Sequence, residues 1–135
     1  MIKYKEGYLY RVEGGDYVRQ TNIIPPRAIE HPCYSLSASG LVTLRSGLFA
    51  WDGATWCLEL LVPKEASAVH DMFCQEMENG GLDWVLYSPQ VHDLLREMVA
   101  ERKWEWWASL VKEAVVLARA GHPSHVNNNP VLTDP

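Results

Sequence analysis

The chain has 135 residues, of which 47% are apolar and 21% are charged, so it is long enough for one domain with a buried core. Its 17 acidic and 12 basic side chains give a net charge of −5, which argues against a nucleic-acid-binding surface, because such a surface needs clustered lysine and arginine. No uninterrupted apolar run reaches the roughly 18 residues that a transmembrane helix needs, so we expect no membrane span.

The first half of the chain is typical of β-structure. Alternating side chains on either side of Gly14 and Gly15 predict a β-hairpin over residues 8–19. The prolines within residues 22–32 predict an extended connection, because proline cannot donate a backbone hydrogen bond. Further strand-like segments are predicted at residues 34–36, 41–44, 47–51 and 56–62.

The second half of the chain is typical of α-helices. Apolar residues at helical spacing predict a first helix over residues 64–77, followed by glycines that end it. Ser88 and Pro89 predict the start of a second helix, because serine favours the N-cap and proline the first helical position. A third helix is predicted from about residue 103 to residue 120.

These elements predict an α+β fold, in which an N-terminal antiparallel β-rich half packs against three C-terminal helices. We expect a single domain over residues 1–121. Residues 122–135 hold three consecutive asparagines and three prolines, which predicts an extended or mobile C-terminal tail. The three cysteines are an odd number without a closely spaced pair, which fits reduced thiols in a cytoplasm better than a disulfide framework.

Several ionisable side chains are candidates for chemistry. Asp52, His70 and Asp93 are the predicted metal ligands, because carboxylate and imidazole groups bind zinc and similar ions. The cofactor that this interpretation implies is a divalent metal such as zinc. Asp71 and His92 are the predicted catalytic residues, as general base or as groups that orient the ligands. A buried polar network that fixes the helices against the sheet explains the same residues without any chemistry.

Tryptophans mark the predicted third helix as a contact surface. Trp104, Trp106 and Trp107 belong to a segment that is apolar over more than one face, which is typical of a helix that is sandwiched between other elements or meets a partner. Trp104 and Trp107 share one stripe and are expected to contact the core or another subunit, whereas Trp106 points elsewhere and is the better candidate for an exposed contact. All three are predicted partner-binding residues.

Short motifs give the chain a family resemblance. They are GLFAWDGAT at residues 47–55, ASAVHD at residues 66–71, SPQVHD at residues 88–93 and the aromatic segment 104–107. In this order they resemble domain of unknown function 1353, a family of small proteins from tailed phages and prophages. The resemblance spans roughly residues 34–118. It implies a phage origin, close to genes for virion morphogenesis or lysis, and it keeps four candidate residues in place: Asp52, His70, Asp71 and Asp93.

Two classes of function are therefore open. In the first, the chain is a virion-associated tail or morphogenesis protein. It would assemble with other phage structural proteins or with itself, in the host cytoplasm and then in the virion. In the second, it is a metal-dependent hydrolase that acts on cell-wall or similar bonds through its aspartate and histidine cluster.

Overall fold

The computed structural model describes residues 4–5, 10–51 and 62–120 of the chain. Within these residues seven short strands come first and three helices follow, so the predicted α+β class is confirmed. The strands are β1 (Tyr4–Lys5), β2 (Tyr10–Val12), β3 (Tyr17–Gln20), β4 (Ile29–Glu30), β5 (Tyr34–Leu36), β6 (Leu41–Leu44) and β7 (Ala50–Trp51). The helices are α1 (Lys64–Asn79), α2 (Trp84–Ala100) and α3 (Glu105–Ala120).

The strands form two antiparallel sheets, with the orders β1-β2-β7 and β3-β6-β5-β4. The strands predicted at residues 34–36 and 41–44 are present, and they pair with each other, with Leu36 opposite Val42. The predicted hairpin over residues 8–19 is wrong, because β2 pairs with β7 and β3 pairs with β6. Gly14 and Gly15, both with positive φ, carry the chain from one sheet to the other instead of folding it back.

The core lies where α1 packs against both sheets. Alternate residues of β5 and β6 turn inward and are fully buried, as the two-residue period of a strand requires. The first sheet is fixed to α1 by Trp51, whose indole Nε1 donates a hydrogen bond of 2.9 Å to Ser67 Oγ. The second sheet is fixed to α1 by Tyr34, whose hydroxyl donates to Glu76 Oε1 at 2.5 Å. Two buried polar contacts therefore set the position of α1.

Helix α2 starts earlier than the sequence predicts. Asp83 is the N-cap and accepts a hydrogen bond from the backbone nitrogen of Leu86 at 2.8 Å. The predicted start at Ser88 and Pro89 is wrong, because Pro89 lies inside the helix. Its ring nitrogen has no hydrogen to donate, but this part of the helix is exposed, so solvent can reach the carbonyl that lacks a donor. Helices α1 and α3 have nearly the predicted bounds.

Ion pairs fix the end of α2 against its neighbours. Arg19 on β3 donates to both carboxylate oxygens of Glu101, at 2.8 and 2.7 Å, and lies 3.3 Å from Glu97. The hydrogen bond from Arg19 lowers the pKa of Glu101. Arg102 pairs with Glu65 at the start of α1, at 2.6 Å. The end of α2 is therefore tied to the second sheet and to α1.

Two predicted segments cannot be placed on this fold. The C-terminal tail at residues 122–135, and all but the last residue of the strand-like run at residues 56–62, lie outside the described residues. Within the parts of the chain that are described, no helix combines the length and the apolar character needed to cross a membrane.

Candidate functional site

Helices α1 and α2 bring two of the candidate imidazoles into contact. His70 lies in the middle of α1, and His92 lies in the middle of α2 on the face that turns to α1. His70 Nε2 and His92 Nδ1 are 3.1 Å apart, and the ring planes are tilted by 32°. One ring donates a hydrogen and the other accepts it, so the tautomers of the two rings are coupled. His92 is buried, whereas His70 is partly exposed.

A thiol lies beside this histidine pair. Cys74 follows His70 by one helical turn, and its sulfur is 3.7 Å from His70 Nδ1 and 3.8 Å from His70 Nε2. Because the sulfur is almost equidistant from both nitrogens, it cannot lie on the in-plane lone-pair axis of either one. The thiol therefore contacts the imidazole without an aligned hydrogen bond to either ring nitrogen.

Asp71 and Asp93 are held by other partners. Asp71 accepts a hydrogen bond of 2.9 Å from Gln75 Nε2, one turn further along α1. Asp93 pairs with Lys112 of α3, with 2.5 Å between Oδ1 and Nζ. Consecutive helix residues point about 100° apart, so His92 can face α1 only if Asp93 faces elsewhere. The structure joins His70 to His92 and turns Asp93 towards α3.

The predicted metal site stays a prediction. Asp52, its first proposed ligand, lies outside the described residues. Among residues 4–5, 10–51 and 62–120, no group of three or more histidine, cysteine, aspartate or glutamate side chains is arranged to hold a metal ion. The described pair of imidazoles by itself serves equally well as a polar tie between α1 and α2.

A second polar contact, which sequence reasoning missed, lies deeper in the molecule. Tyr34 and Glu76 are both buried, and the ring of His31 stacks on Tyr34 at 4.2 Å between centroids. Burial, and after it the hydrogen bond to Glu76, raises the pKa of Tyr34. The two residues are 42 positions apart, and no local pattern in the sequence indicates such a pair. This contact joins the sheet to α1 and serves stability.

Helix α3 presents an apolar surface to solvent. Its buried face, which includes Ala108 and Val111, packs in the core. Trp106, Leu110 and Leu117 lie on the other side and are 62%, 53% and 74% exposed. With 3.6 residues per turn these three side chains fall within about 40° of the helix circumference. We call this group the α3 stripe.

The tryptophans at the start of α3 extend the stripe. Trp104 is 68% exposed, so of its two expected contacts, with the core or with another subunit, only the one with another subunit stays a prediction. Its ring stacks on Trp106 at 6.0 Å between centroids, and Trp106 meets Trp107 edge to face at 6.2 Å. Trp107 is partly buried and packs against the core. The predicted exposure of Trp106 is confirmed. Helical spacing from Trp106 also indicates that Leu110 and Leu117 lie on the same exposed side of α3.

Comparison of the chain with protein-family models, with curated proteins and with solved structures found no match. The resemblance to domain of unknown function 1353 therefore stays a prediction that rests on short motifs. Any function has to be argued from the surfaces and side-chain clusters described above, since a fold alone does not specify one.

Proposed function

We propose that this chain is an assembly protein that binds other protein chains through the α3 stripe. The observation that carries the proposal is the exposure of Trp106, Leu110 and Leu117 side by side on a helix whose opposite face is already buried. Contiguous exposed apolar patches larger than a few hundred Å² are rare on monomeric proteins, and they mark interaction sites. Tryptophan is also enriched among the residues that contribute most to binding energy at interfaces.

The resemblance to domain of unknown function 1353 supports a phage virion as the setting of this assembly. In this proposal the chain folds in the host cytoplasm and enters the tail or another part of the particle during morphogenesis. The neighbours would be other phage structural proteins or further copies of the chain. The net charge of −5 favours protein partners over nucleic acid.

Adjacent tryptophans provide a matched test of this proposal. We expect Trp106→Ala to remove the chain from purified particles, because it deletes the largest side chain of the α3 stripe. The same change should lower the free energy of unfolding by no more than about 1 kcal/mol, since Trp106 is mostly exposed. Quantitative mass spectrometry of particles and urea unfolding of the purified chain measure the two effects.

Trp107→Ala is the control for an effect on folding, because Trp107 packs against the core. It should lower the free energy of unfolding by about 2 kcal/mol or more through the cavity that it leaves. A Trp106→Ala chain that enters particles at the normal copy number would contradict the proposed role of the stripe. An unfolded Trp106→Ala chain would contradict its placement on the surface.

A metal-dependent hydrolase is the second candidate, and one distance is compatible with it. Two nitrogens bound to one tetrahedral zinc ion lie about 3.3 Å apart, because each zinc–nitrogen bond is about 2.0–2.1 Å. His70 Nε2 and His92 Nδ1 are 3.1 Å apart, so small ring rotations would let both bind one ion. In that function the ion would lower the pKa of a bound water for attack on a cell-wall bond.

Metal content tests this second candidate directly. If it is correct, the chain purified without chelator contains one zinc per copy, and His70→Ala loses the metal while it keeps the fold. His31→Ala is the control, because His31 stacks on Tyr34 in the sheet and should leave the metal content unchanged. Protein free of metal after purification in zinc-containing buffer excludes the hydrolase.

A further inference from the structure

We infer that the partner of the α3 stripe is a second copy of the same chain, which packs α3 against α3 in antiparallel orientation. This inference rests on the proposed function and names the partner. The stripe, together with Glu113, follows the alternating spacing of four, three and four residues that forms the contact seam of a two-helix coiled coil. Glu113 is exposed and lies between Leu110 and Leu117 on the same side of the helix.

The pattern is complementary to itself only when the second helix runs in the opposite direction. Antiparallel pairing places Trp106 opposite Leu117 of the second copy, and Leu110 opposite Glu113 of the second copy. On one flank it also places Ser109 opposite Val116 of the second copy. Each larger side chain thus meets a smaller one, which lets two helices approach closely. A parallel pairing would instead stack Trp106 on Trp106, and Glu113 on Glu113.

The extent of the surface fits a weak dimer. Helix α3 has 16 residues, about 24 Å of helix at 1.5 Å per residue. A contact between two such helices buries less than the roughly 800 Å² per partner of a standard interface. Glu113 weakens the contact further, because its carboxylate would lose water opposite a leucine without gaining a partner. The dimer should therefore form only at high local concentration, such as that in a growing assembly.

A gain-of-function variant separates this dimer from general loss of folding. Glu113→Leu completes the seam, and we expect it to tighten dimerisation by about tenfold or more. Gln90→Leu is the control, because it adds a leucine at an exposed position of a different helix, α2. Analytical ultracentrifugation of the full chain measures both variants beside the wild type. A wild type that stays monomeric at every concentration would overturn the inference, even if Glu113→Leu dimerises.

Disulfide cross-linking tests the orientation. A mixture of Leu110→Cys chains with Glu113→Cys chains should form a disulfide dimer on mild oxidation, whereas each variant by itself should form much less. The wild type, with its three native cysteines, is the control. A strong cross-link from Leu110→Cys alone would indicate parallel helices and overturn the antiparallel arrangement.

Different results would contradict the second-copy partner and the assembly function. If the purified chain never dimerises but Trp106→Ala is still lost from particles, the partner is another protein and only the second-copy inference is wrong. If the wild type dimerises and Glu113→Leu dimerises more tightly while Trp106→Ala enters particles normally, the dimer stands and the proposed assembly function is wrong.

Discussion

Tyr34→Phe is expected to lower the free energy of unfolding by about 2–3 kcal/mol. The change removes only the hydroxyl that donates to Glu76 Oε1 at 2.5 Å, so almost no packing is lost with it. Both residues are buried, and water cannot easily replace the missing donor. The loss is therefore mainly the desolvation of a carboxyl group without its partner. Urea unfolding followed by tryptophan fluorescence measures it.

A milder variant checks that the hydrogen bond is responsible. Glu76→Gln keeps a carbonyl oxygen that can accept from the Tyr34 hydroxyl, so we expect a loss of only about 1 kcal/mol. The double variant Tyr34→Phe, Glu76→Gln should lose less than the two single losses added together, because the single changes remove one interaction. Fully additive losses in the double variant would show that the contact is not the source of the effect.

The same hydroxyl predicts the response of stability to alkaline pH. Burial first, and then the bond to Glu76, raises the pKa of Tyr34 above its ordinary value of 10.0. Above pH 10 the unfolded chain therefore releases this proton while the folded chain keeps it. The stabilisation is complete below about pH 10 and is lost as the pH rises further. Tyr34→Phe should make this decline of stability with pH less steep. A smaller decline should remain in the variant, because the pKa of Tyr17 is also raised.

Gly81 provides an independent probe of the buried carboxyl group. A Cβ atom at this position would overlap Glu76 Oε2, the oxygen that does not bond Tyr34. In the wild type the carboxyl group is held by Tyr34, so Gly81→Ala should be destabilising. In a Tyr34→Phe background the carboxyl group of Glu76 can rotate away more easily, so Gly81→Ala should lower the free energy of unfolding by less than it does in the wild type.

The fold class follows from local patterns that can be read in the sequence, but the sheet partners do not. Short strands and three helices are indicated by alternation and by helical spacing. The hairpin predicted around Gly14 fails because β2 and β3 each find a partner far along the chain, β7 and β6. The glycine pair marks a bend between β2 and β3, but it does not specify which strands pair. Long-range pairing depends on packing that no local window contains.

In the candidate site, too, local sequence predicts some features and long-range packing decides the others. The pair His92-Asp93 indicates that one of the two residues borders the core, and His92 does so. Which group it meets depends on the rotation of α2 relative to α1, and that rotation brings it to His70. The contact of Asp93 with Lys112 depends on α3 in the same way. Residue types predict the chemistry that is available, whereas helix rotation decides which groups meet.

Gly40→Ala is expected to lower the free energy of unfolding by about 2–4 kcal/mol, since it combines backbone strain with a steric clash. Gly40 has φ of 91°, a conformation that an alanine adopts only at a cost. A Cβ atom here would lie 2.6 Å from the carbonyl oxygen of Thr21. That oxygen belongs to backbone, which cannot swing aside as a flexible side chain can. Urea unfolding of the wild type and of Gly40→Ala measures the difference in the free energy of unfolding, provided that both show the same dependence on urea concentration.

Gly80→Ala separates the strain from the clash. Gly80 has nearly the same φ, 89°, but a Cβ atom there would meet nothing within 4 Å. We expect a loss of about 1 kcal/mol, from the left-handed backbone alone. The additional loss of stability in Gly40→Ala then measures how strongly residues 21–24 resist displacement by the added Cβ atom. Equal losses in the two variants would show that this segment moves freely away from Gly40.

That segment also connects the turn to the helices. Tyr87 of α2 donates a hydrogen bond of 2.7 Å to the carbonyl oxygen of Ile24. If Gly40→Ala displaces residues 21–24, this bond should weaken together with the contact of α2 on the sheet. Tyr87→Phe should then lose less stability in the Gly40→Ala background than in the wild type. Additive losses would mean that the strain at Gly40 relaxes within the turn and does not reach the helices.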